Sequence, residues 1–225
     1  MNDLILMHGA LGASSQFNQL IQLLEGHFKC HTFDLSGHGK STSSENFSMK
    51  SFAQELKAFI QHNELKQPQI FGYSMGGYVA YSLAVEEGEL IGDIMSLGSK
   101  LKWDPLIAKL ETGKMNTEKI KEKVPNFASY LSVLHQDWET NMNKTAALMT
   151  NLGDGEALTF QDFAKIKNKC FIGLGDADEM VSCQETLDVD AALLNSQYYK
   201  LPNSRHPLPQ LNMNQLSEYI IKFLA

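Results

Sequence analysis

The stretch Gln-Ile-Phe-Gly-Tyr-Ser-Met-Gly-Gly at residues 69–77 decides the fold, because a G-x-S-x-G motif here joins a strand pattern to a helical one. The serine of the motif is Ser74, and the glycines two residues to either side are Gly72 and Gly76. A tight turn between strand and helix has no room for side chains at those two positions. Such a turn also lifts the serine hydroxyl above the end of the strand. The motif therefore predicts a nucleophilic serine at the edge of a sheet.

Around this motif, short apolar runs alternate with amphipathic stretches, which is the pattern of a parallel sheet with crossover helices. The predicted strands are Leu4–Met7, Cys30–Asp34, Gln69–Tyr73, Ile91–Leu97, Cys170–Leu174 and Gln197–Leu201. Apolar residues at helical spacing predict helices over Ser15–Leu24, Ser48–His62, Met75–Glu86 and Leu208–Leu224. The expected fold class is α/β, with a mostly parallel sheet.

Residues 101–166 interrupt this alternation, because they contain helical patterns only. We predict that they form a helical cap over the carboxyl ends of the strands, while residues 1–100 and 167–225 form the core. The alternative is a few extra helices packed on the flank of the sheet. An apolar substrate pocket under the cap is predicted to use Leu11, Trp103, Phe127, Tyr130 and Trp138, although the aromatic residues could equally form a small core of the cap itself.

Composition and charge narrow the class of protein. The chain has 225 residues, a net charge of -7 and a single arginine, Arg205, which argues against binding to nucleic acid or to an anionic membrane surface. No apolar run approaches the length of a membrane span, and residues 1–4 have no signal-peptide pattern. Cys30, Cys170 and Cys183 are widely spaced and are expected to be reduced. These features favour a cytoplasmic protein whose partner is a small molecule.

Four landmarks resemble the α/β-hydrolase fold family in their order along the chain. They are His8–Gly12 after the first strand, Asp34–Ser41 after the second, the turn at Ser74, and an acid and a histidine near the end. The resemblance spans nearly the whole chain and is to the serine-nucleophile branch, which includes small esterases, C–C bond hydrolases and cofactor-free haloperoxidase-like proteins. It implies a sheet of about six strands, without the two N-terminal strands of many members, with flanking helices and an inserted cap.

The resemblance implies a catalytic triad in the order serine, acid, histidine. Ser74 would be the nucleophile, and His206, the one histidine after the final predicted strand, would be its base. The family pattern aligns Asp178 with the acid that orients the histidine. Asp176 is the alternative acid, although it could instead accept hydrogen bonds from the backbone of its own loop.

The same resemblance implies an oxyanion hole made of two backbone amides, those of Met75 and Ala10. His8 is interpreted as a structural turn residue rather than as a second base. Together these residues predict a serine hydrolase that acts through an acyl-enzyme on an ester, a thioester or a related acyl substrate. The sequence has no H-E-x-x-H motif and no paired C-x-x-C motif, so neither a metal nor another cofactor is expected.

Two other functions stay open at this point. A lyase resembling the menaquinone-pathway synthase uses the same triad, but its polyanionic substrate calls for arginines, one of them after the glycines of the elbow, where this chain has Tyr78. Arg205 could bind a substrate carboxylate or could be a solvated loop residue. A ligand sensor that keeps the triad but does not turn over substrate would have the same residues, because a fold does not determine a function.

Overall fold

A single six-stranded sheet organises the computed structural model, which describes residues 1–42 and 46–225. All strands are parallel, in the order β2-β1-β3-β4-β5-β6. Their bounds are β1 Asn2–Met7, β2 Phe28–Thr32, β3 Gln69–Tyr73, β4 Ile94–Leu97, β5 Cys170–Gly175 and β6 Ser196–Leu201. The predicted α/β class and the parallel sheet of about six strands are confirmed.

Every connection between consecutive strands contains at least one helix, and the helices differ widely in length. Their bounds are α1 Asn18–Leu24, α2 Met49–His62, α3 Met75–Glu87, α4 Pro105–Thr112, α5 Thr117–Lys123, α6 Pro125–Leu134, α7 Trp138–Asn151, α8 Phe160–Phe163, α9 Cys183–Ala192 and α10 Met213–Leu224. Helices α4 to α8 all lie in the connection between β4 and β5. We refer to residues 101–166 as the inserted segment.

The four central strands are largely buried on both faces, because their side chains alternate between two apolar layers. In β1, Ile5 and Met7 pack in the layer that contains α2 and α3, whereas Leu4 and Leu6 pack in the layer that contains α1 and α10. All four of these side chains are fully buried. The sheet is therefore the centre of the core, and its carboxyl edge is left to carry the functional loops.

Several predicted boundaries differ from the observed ones, and the structure gives the reason for some of them. Strand β2 lies two residues earlier than predicted, so that it pairs with β1 from Asn2↔Phe28 onwards. The predicted helix over Leu208–Leu224 is a 3-10 turn followed by α10, because the side chain of Asn212 accepts hydrogen bonds from two backbone amides and starts a new helix at Met213. Similarly, a 3-10 turn over Ser14–Phe17 precedes α1.

The inserted segment has a small core of its own. Ile120, Leu131, Trp138 and Met142 are buried together, whereas Leu148 and Leu152 further along belong to the main core. The segment is therefore attached to the body of the protein through α7 and the turn after it, and also through Leu101, Phe163 and Ile166 at its two ends. Its designation as a cap domain with bounds at 101 and 166 stays a prediction. Across residues 1–42 and 46–225, no helix is long and apolar enough to cross a membrane.

Candidate active site

Ser74 lies on a strained turn between β3 and α3. Its φ of 50° and ψ of -118° fall in a region that side-chain-bearing residues rarely adopt, and it is the residue directly before α3. Two hydrogen bonds hold the turn: the Ser74 amide donates to the Leu97 carbonyl at 2.8 Å, and the Ser99 hydroxyl donates to the Ser74 carbonyl at 2.8 Å. The backbone geometry is thus the one expected of a nucleophile elbow.

The glycines of the motif are required by close backbone contacts. A methyl group at Gly72 would lie 2.4 Å from the backbone of Gly77, and one at Gly76 would lie 2.3 Å from the carbonyl oxygen of Met7. Gly77 is equally constrained, because a methyl group there would lie 2.2 Å from Oγ of Ser99. All three glycines let α3 start close against the ends of β1 and β4.

Three side chains from distant parts of the chain form one hydrogen-bonded row. Oγ of Ser74 lies 3.3 Å from Nε2 of His206, and Nδ1 of His206 lies 2.8 Å from Oδ2 of Asp178. The Asp178 side chain is 2% exposed and that of His206 is 10% exposed. This is the order of contacts that a serine nucleophile, a general base and an orienting carboxylate require.

The carboxylate of Asp178 is held in its ionised form. Burial by itself raises its pKa, but the hydrogen bond and charge of His206 and the backbone amides of Val181 and Met180 lower the pKa below the ordinary value of an aspartate. The two amides donate to Oδ1 at 2.9 Å and 2.8 Å, which leaves Oδ2 for the histidine. The apolar pair after Asp178 therefore supplies backbone donors as well as side chains.

Asp176, the alternative acid, has a different place. It is exposed, and its Oδ1 accepts a hydrogen bond from the Ser204 amide at 3.2 Å. It thereby links the loop after β5 to the loop that carries His206.

Tyr73 also stabilises the loop that carries His206, because its hydroxyl donates a hydrogen bond to the His206 carbonyl. Burial and the nearby Asp178 charge raise the pKa of Tyr73, so it remains a donor.

The loop after β1 lies against Ser74. A methyl group at Gly9 would lie 3.1 Å from Cβ of Ser74, which shows how closely the two backbones approach. The Gly12 amide donates to the Gly9 carbonyl at 3.1 Å and closes a turn over residues 9–12 that contains Ala10. On the other side, α3 begins at Met75, whose amide has no acceptor within the helix. The amides of Ala10 and Met75 thus belong to the two backbone segments that flank the serine.

His8 is fully buried and both of its ring nitrogens are engaged. Nδ1 donates to the Gly9 carbonyl at 2.8 Å, and Nε2 accepts from the Leu35 amide at 3.1 Å. Burial lowers its pKa to about 4, so the ring is neutral at pH 7. Its contacts are those of a residue that joins the first two loops.

A cavity of about 490 Å³ opens over Ser74 and His206, and most of its lining is apolar. The predicted pocket residues Leu11, Trp103, Phe127 and Tyr130 line it, whereas Trp138 lies in the small core of the inserted segment. The cavity has further lining residues that no sequence pattern predicts, among them Met49, Tyr78, Met115, Leu148, Met149, Leu152, Val181, Leu208 and Pro209. They come from six separate stretches of chain, which is why no local pattern marks them.

Few charged groups reach this cavity. Lys100 and Glu111 line it, and Nζ of Lys100 donates to the Met180 carbonyl at 3.1 Å and lies 3.5 Å from the carboxylate of Glu185. Arg205 does not line it: the guanidinium is 62% exposed and lies 3.4 Å from the exposed carboxylate of Glu179. Within the described residues, no group of three or more His, Cys, Asp or Glu side chains is placed to hold a metal ion.

Comparisons with known proteins agree with this architecture. A family model described as alpha/beta hydrolase fold matches residues 3–163. The uncharacterized hydrolase YugF of Bacillus subtilis (strain 168) is 23% identical in an alignment covering 98% of this chain and 89% of that protein. The pimeloyl-[acyl-carrier protein] methyl ester esterase of Vibrio vulnificus (strain CMCP6) is 26% identical, but the alignment covers 75% of this chain and only 60% of the esterase.

Solved structures show the same fold at low sequence identity. The crystal structure of an enol-lactonase from Burkholderia xenovorans LB400 superposes with a TM-score of 0.81. It covers 99% of this chain and 91% of the lactonase, at 16% identity. At that identity the likeness describes the fold and leaves the substrate open.

Proposed function

Because the chain belongs to the alpha/beta hydrolase fold family and is an enzyme of that type, we propose that it is a serine hydrolase acting on an acyl substrate. The observation that carries the proposal is the row Ser74–His206–Asp178 at the floor of an apolar cavity. The reaction class is acyl transfer to the serine followed by hydrolysis of the acyl-enzyme.

In the first step, Oγ of Ser74 attacks the carbonyl carbon of the substrate while Nε2 of His206 takes the hydroxyl proton. The separation of 3.3 Å between these atoms shortens when substrate binds, as catalytic hydrogen bonds commonly do. Asp178 keeps the remaining proton on Nδ1 and stabilises the imidazolium. When the tetrahedral intermediate collapses, His206 returns the proton to the leaving alcohol or thiol, and the acyl group stays on Ser74.

In the second step, His206 removes a proton from water, which attacks the acyl carbonyl and releases the acid and free Ser74. In both steps the negative charge on the carbonyl oxygen needs donors that are already in place. We assign this role to the backbone amides of Met75 and Ala10. The amide of Met75 lies at the start of a 13-residue helix, where the helix dipole also favours negative charge.

The cavity lining favours substrates with an apolar acyl portion. Leu11, Leu148 and Leu152 offer contact area without hydrogen-bonding groups, and the methionines can adjust to different shapes. The Vibrio vulnificus relative is by its name an esterase of an acyl methyl ester, which is the same chemistry. Arg205, the single arginine of the sequence, does not line the cavity, so a polyanionic lyase substrate is not favoured. We therefore propose an ester or thioester of an aliphatic acid.

The test is hydrolysis of p-nitrophenyl esters from acetate to long acyl chains by the parent chain and by Ser74→Ala. We expect kcat to fall by about 10⁵-fold or more in the variant, because loss of the nucleophile removes the acyl-enzyme pathway. Thermal unfolding of both proteins shows whether the variant is folded. Turnover that survives in folded Ser74→Ala would contradict the serine mechanism.

A ligand sensor would give a different result in the same series. If the parent hydrolyses none of the esters but its thermal stability rises when ester products bind, the hydrolase proposal would be contradicted and a sensor would be favoured. Stoichiometric labelling of Ser74 by a fluorophosphonate distinguishes a competent nucleophile from an idle one, because phosphonylation needs the same activation.

A further inference from the structure

His135, a residue of the inserted segment, connects this segment to the loop after β1 and the loop after β2. It is 4% exposed and lies directly after α6. Nδ1 of His135 lies 2.8 Å from the Gly39 amide, and Nε2 lies 3.0 Å from the Leu11 carbonyl. One side chain therefore contacts the loop after β1 and the loop after β2 at the same time.

The hydrogen-bond partners determine the tautomer of this ring. The Gly39 amide can only donate, so Nδ1 must be an acceptor without a proton. The single ring proton is therefore on Nε2, where it is donated to the carbonyl of Leu11. Burial lowers the pKa of His135. The neutral ring with this tautomer is the form that both contacts require.

Leu11 is a residue whose backbone needs such support. Its φ of 53° lies in the left-handed region, which is unfavourable for a leucine. It follows Ala10 in the turn that the Gly12 amide closes on the Gly9 carbonyl. A hydrogen bond to the carbonyl of Leu11 therefore fixes the part of the turn next to the Ala10 amide.

We propose that His135 is a positioning residue of the reaction: it holds the turn over residues 9–12 so that the Ala10 amide faces the developing oxyanion. This inference rests on the proposed function. His135 does not touch the substrate, and it is absent from the cavity lining. A tilted amide weakens an interaction that forms only in the transition state, so its loss lowers kcat and leaves KM nearly unchanged.

Two substitutions separate the contacts of the ring. In His135→Gln the terminal amide can occupy the place of Nε2 and still donate to Leu11. In His135→Asn the shorter side chain can accept from Gly39 at the place of Nδ1 but does not reach Leu11. We expect kcat for ester hydrolysis to fall about tenfold in His135→Asn and at most about threefold in His135→Gln, with KM within twofold of the parent in both. Gln136→Ala is the matched control, because it removes an adjacent bond of 3.0 Å to the Lys40 carbonyl and leaves the first turn alone.

The rate of phosphonylation of Ser74 by a fluorophosphonate, followed by mass spectrometry, is a second readout that needs no ester substrate. It should slow by a similar factor in His135→Asn, and thermal unfolding should show whether both variants are folded. Equal kcat and labelling rates in the parent and folded His135→Asn, or equal losses in the Asn and Gln variants, would overturn the positioning role while the hydrolase proposal stands. If the parent is not labelled, or Ser74→Ala is still labelled, the proposed function fails and this inference fails with it.

Discussion

The carboxyl edge of the sheet and the inserted segment face each other across the cavity, and they are built in different ways. At the sheet edge the backbone itself determines where Ser74 and Asp178 lie, through a turn with positive φ and a carboxylate bound by two amides. In the inserted segment, α6 leaves Phe127 40% exposed, Tyr130 39% exposed and Val133 89% exposed. The residues of the proposed triad are thus held by tightly constrained backbone, whereas Phe127 and Tyr130 on the opposite wall of the cavity are partly exposed side chains.

This difference predicts that substitutions at the sheet edge act on kcat or on folding, and that substitutions in the inserted segment act on substrate choice. His135 is the point where the two regions are joined, since it belongs to the segment but contacts the loops of the sheet edge.

We expect the largest effect on kcat to distinguish variants of two aspartates that are two residues apart. Asp178→Asn should lower kcat by about 10⁴-fold, because an amide in place of the carboxylate favours the wrong tautomer of His206 and cannot stabilise the imidazolium. Asp176→Asn should change kcat by less than about threefold, since an amide oxygen can still accept from Ser204. Steady-state kinetics on one ester measures both. A large loss in Asp176→Asn with little in Asp178→Asn would reverse the assignment of the acid.

A second test compares two glycines, one in each region. In Gly76→Ala the new methyl group would meet the carbonyl oxygen of Met7 at 2.3 Å, so we expect the free energy of unfolding to drop by about 3 kcal/mol. Gly113, after α4 in the inserted segment, has a φ of -59° and is exposed. Gly113→Ala should change the free energy of unfolding by less than about 1 kcal/mol, in either direction. Urea titrations measure both values, and equal effects would remove the distinction between a constrained edge and a tolerant segment.

The same contrast explains what could be predicted from the sequence. The elbow at residues 72–76 and the spacing of the strands are local patterns, and these patterns predict the sheet. The order Ser74, Asp178, His206 is instead what the resemblance to the α/β-hydrolase family implies. Strand register is not local. The residues of β2 alternate poorly between buried and exposed positions, so the sequence places this strand two residues late, and pairing with β1 sets its observed limits. The lining of the pocket also depends on contacts that are not local. Trp103 and Trp138 cannot be distinguished by their sequence context, but packing places Trp103 at the cavity and Trp138 in the small core of the inserted segment.

Contacts between distant loops were also beyond sequence reasoning. The roles of Ser99 and Tyr73 depend on carbonyls that the fold brings near, and neither residue type is informative by itself. The sequence does not decide between Asp176 and Asp178 as the acid, because both aspartates lie in one turn. The geometry distinguishes them by which carboxylate reaches Nδ1 of His206.

A third prediction concerns pH and the buried histidine under the first loop. The ordinary pKa of 6.5 applies to His8 in the unfolded chain, whereas burial lowers it to about 4 in the folded protein. Between these values the unfolded state binds the proton more readily, so stability falls as the pH drops from 6.5 toward 4. His8 alone should cost about 2 kcal/mol of unfolding free energy at pH 5 relative to pH 7. Burial lowers the pKa of His38 and His135 as well, which adds to the effect in the same direction.

Urea titrations at pH 7 and pH 5 measure this difference. His8→Gln removes the titrating group and should make the stability less dependent on pH, even if the variant is less stable at pH 7. His62→Ala, at the exposed end of α2, is the control. A parent chain equally stable at both pH values would contradict the sign of the shift.

The smallest effect should come from the wall of the cavity that faces the sheet edge. Phe127 lines the cavity with a half-exposed ring stacked on Tyr130 at 6.4 Å between centroids. Removing the ring takes away apolar contact with the far end of a long acyl chain and leaves the triad intact. We expect Phe127→Ala to raise KM for a long-chain ester about three- to tenfold, with KM and kcat for the acetate ester unchanged. Val133→Ala is the control on the same helix, because Val133 is 89% exposed and does not line the cavity. If Phe127→Ala lowered kcat equally for short and long esters, the inserted segment would take part in the chemistry itself. The assignment of catalysis to the sheet edge and of substrate choice to the inserted segment would then be wrong.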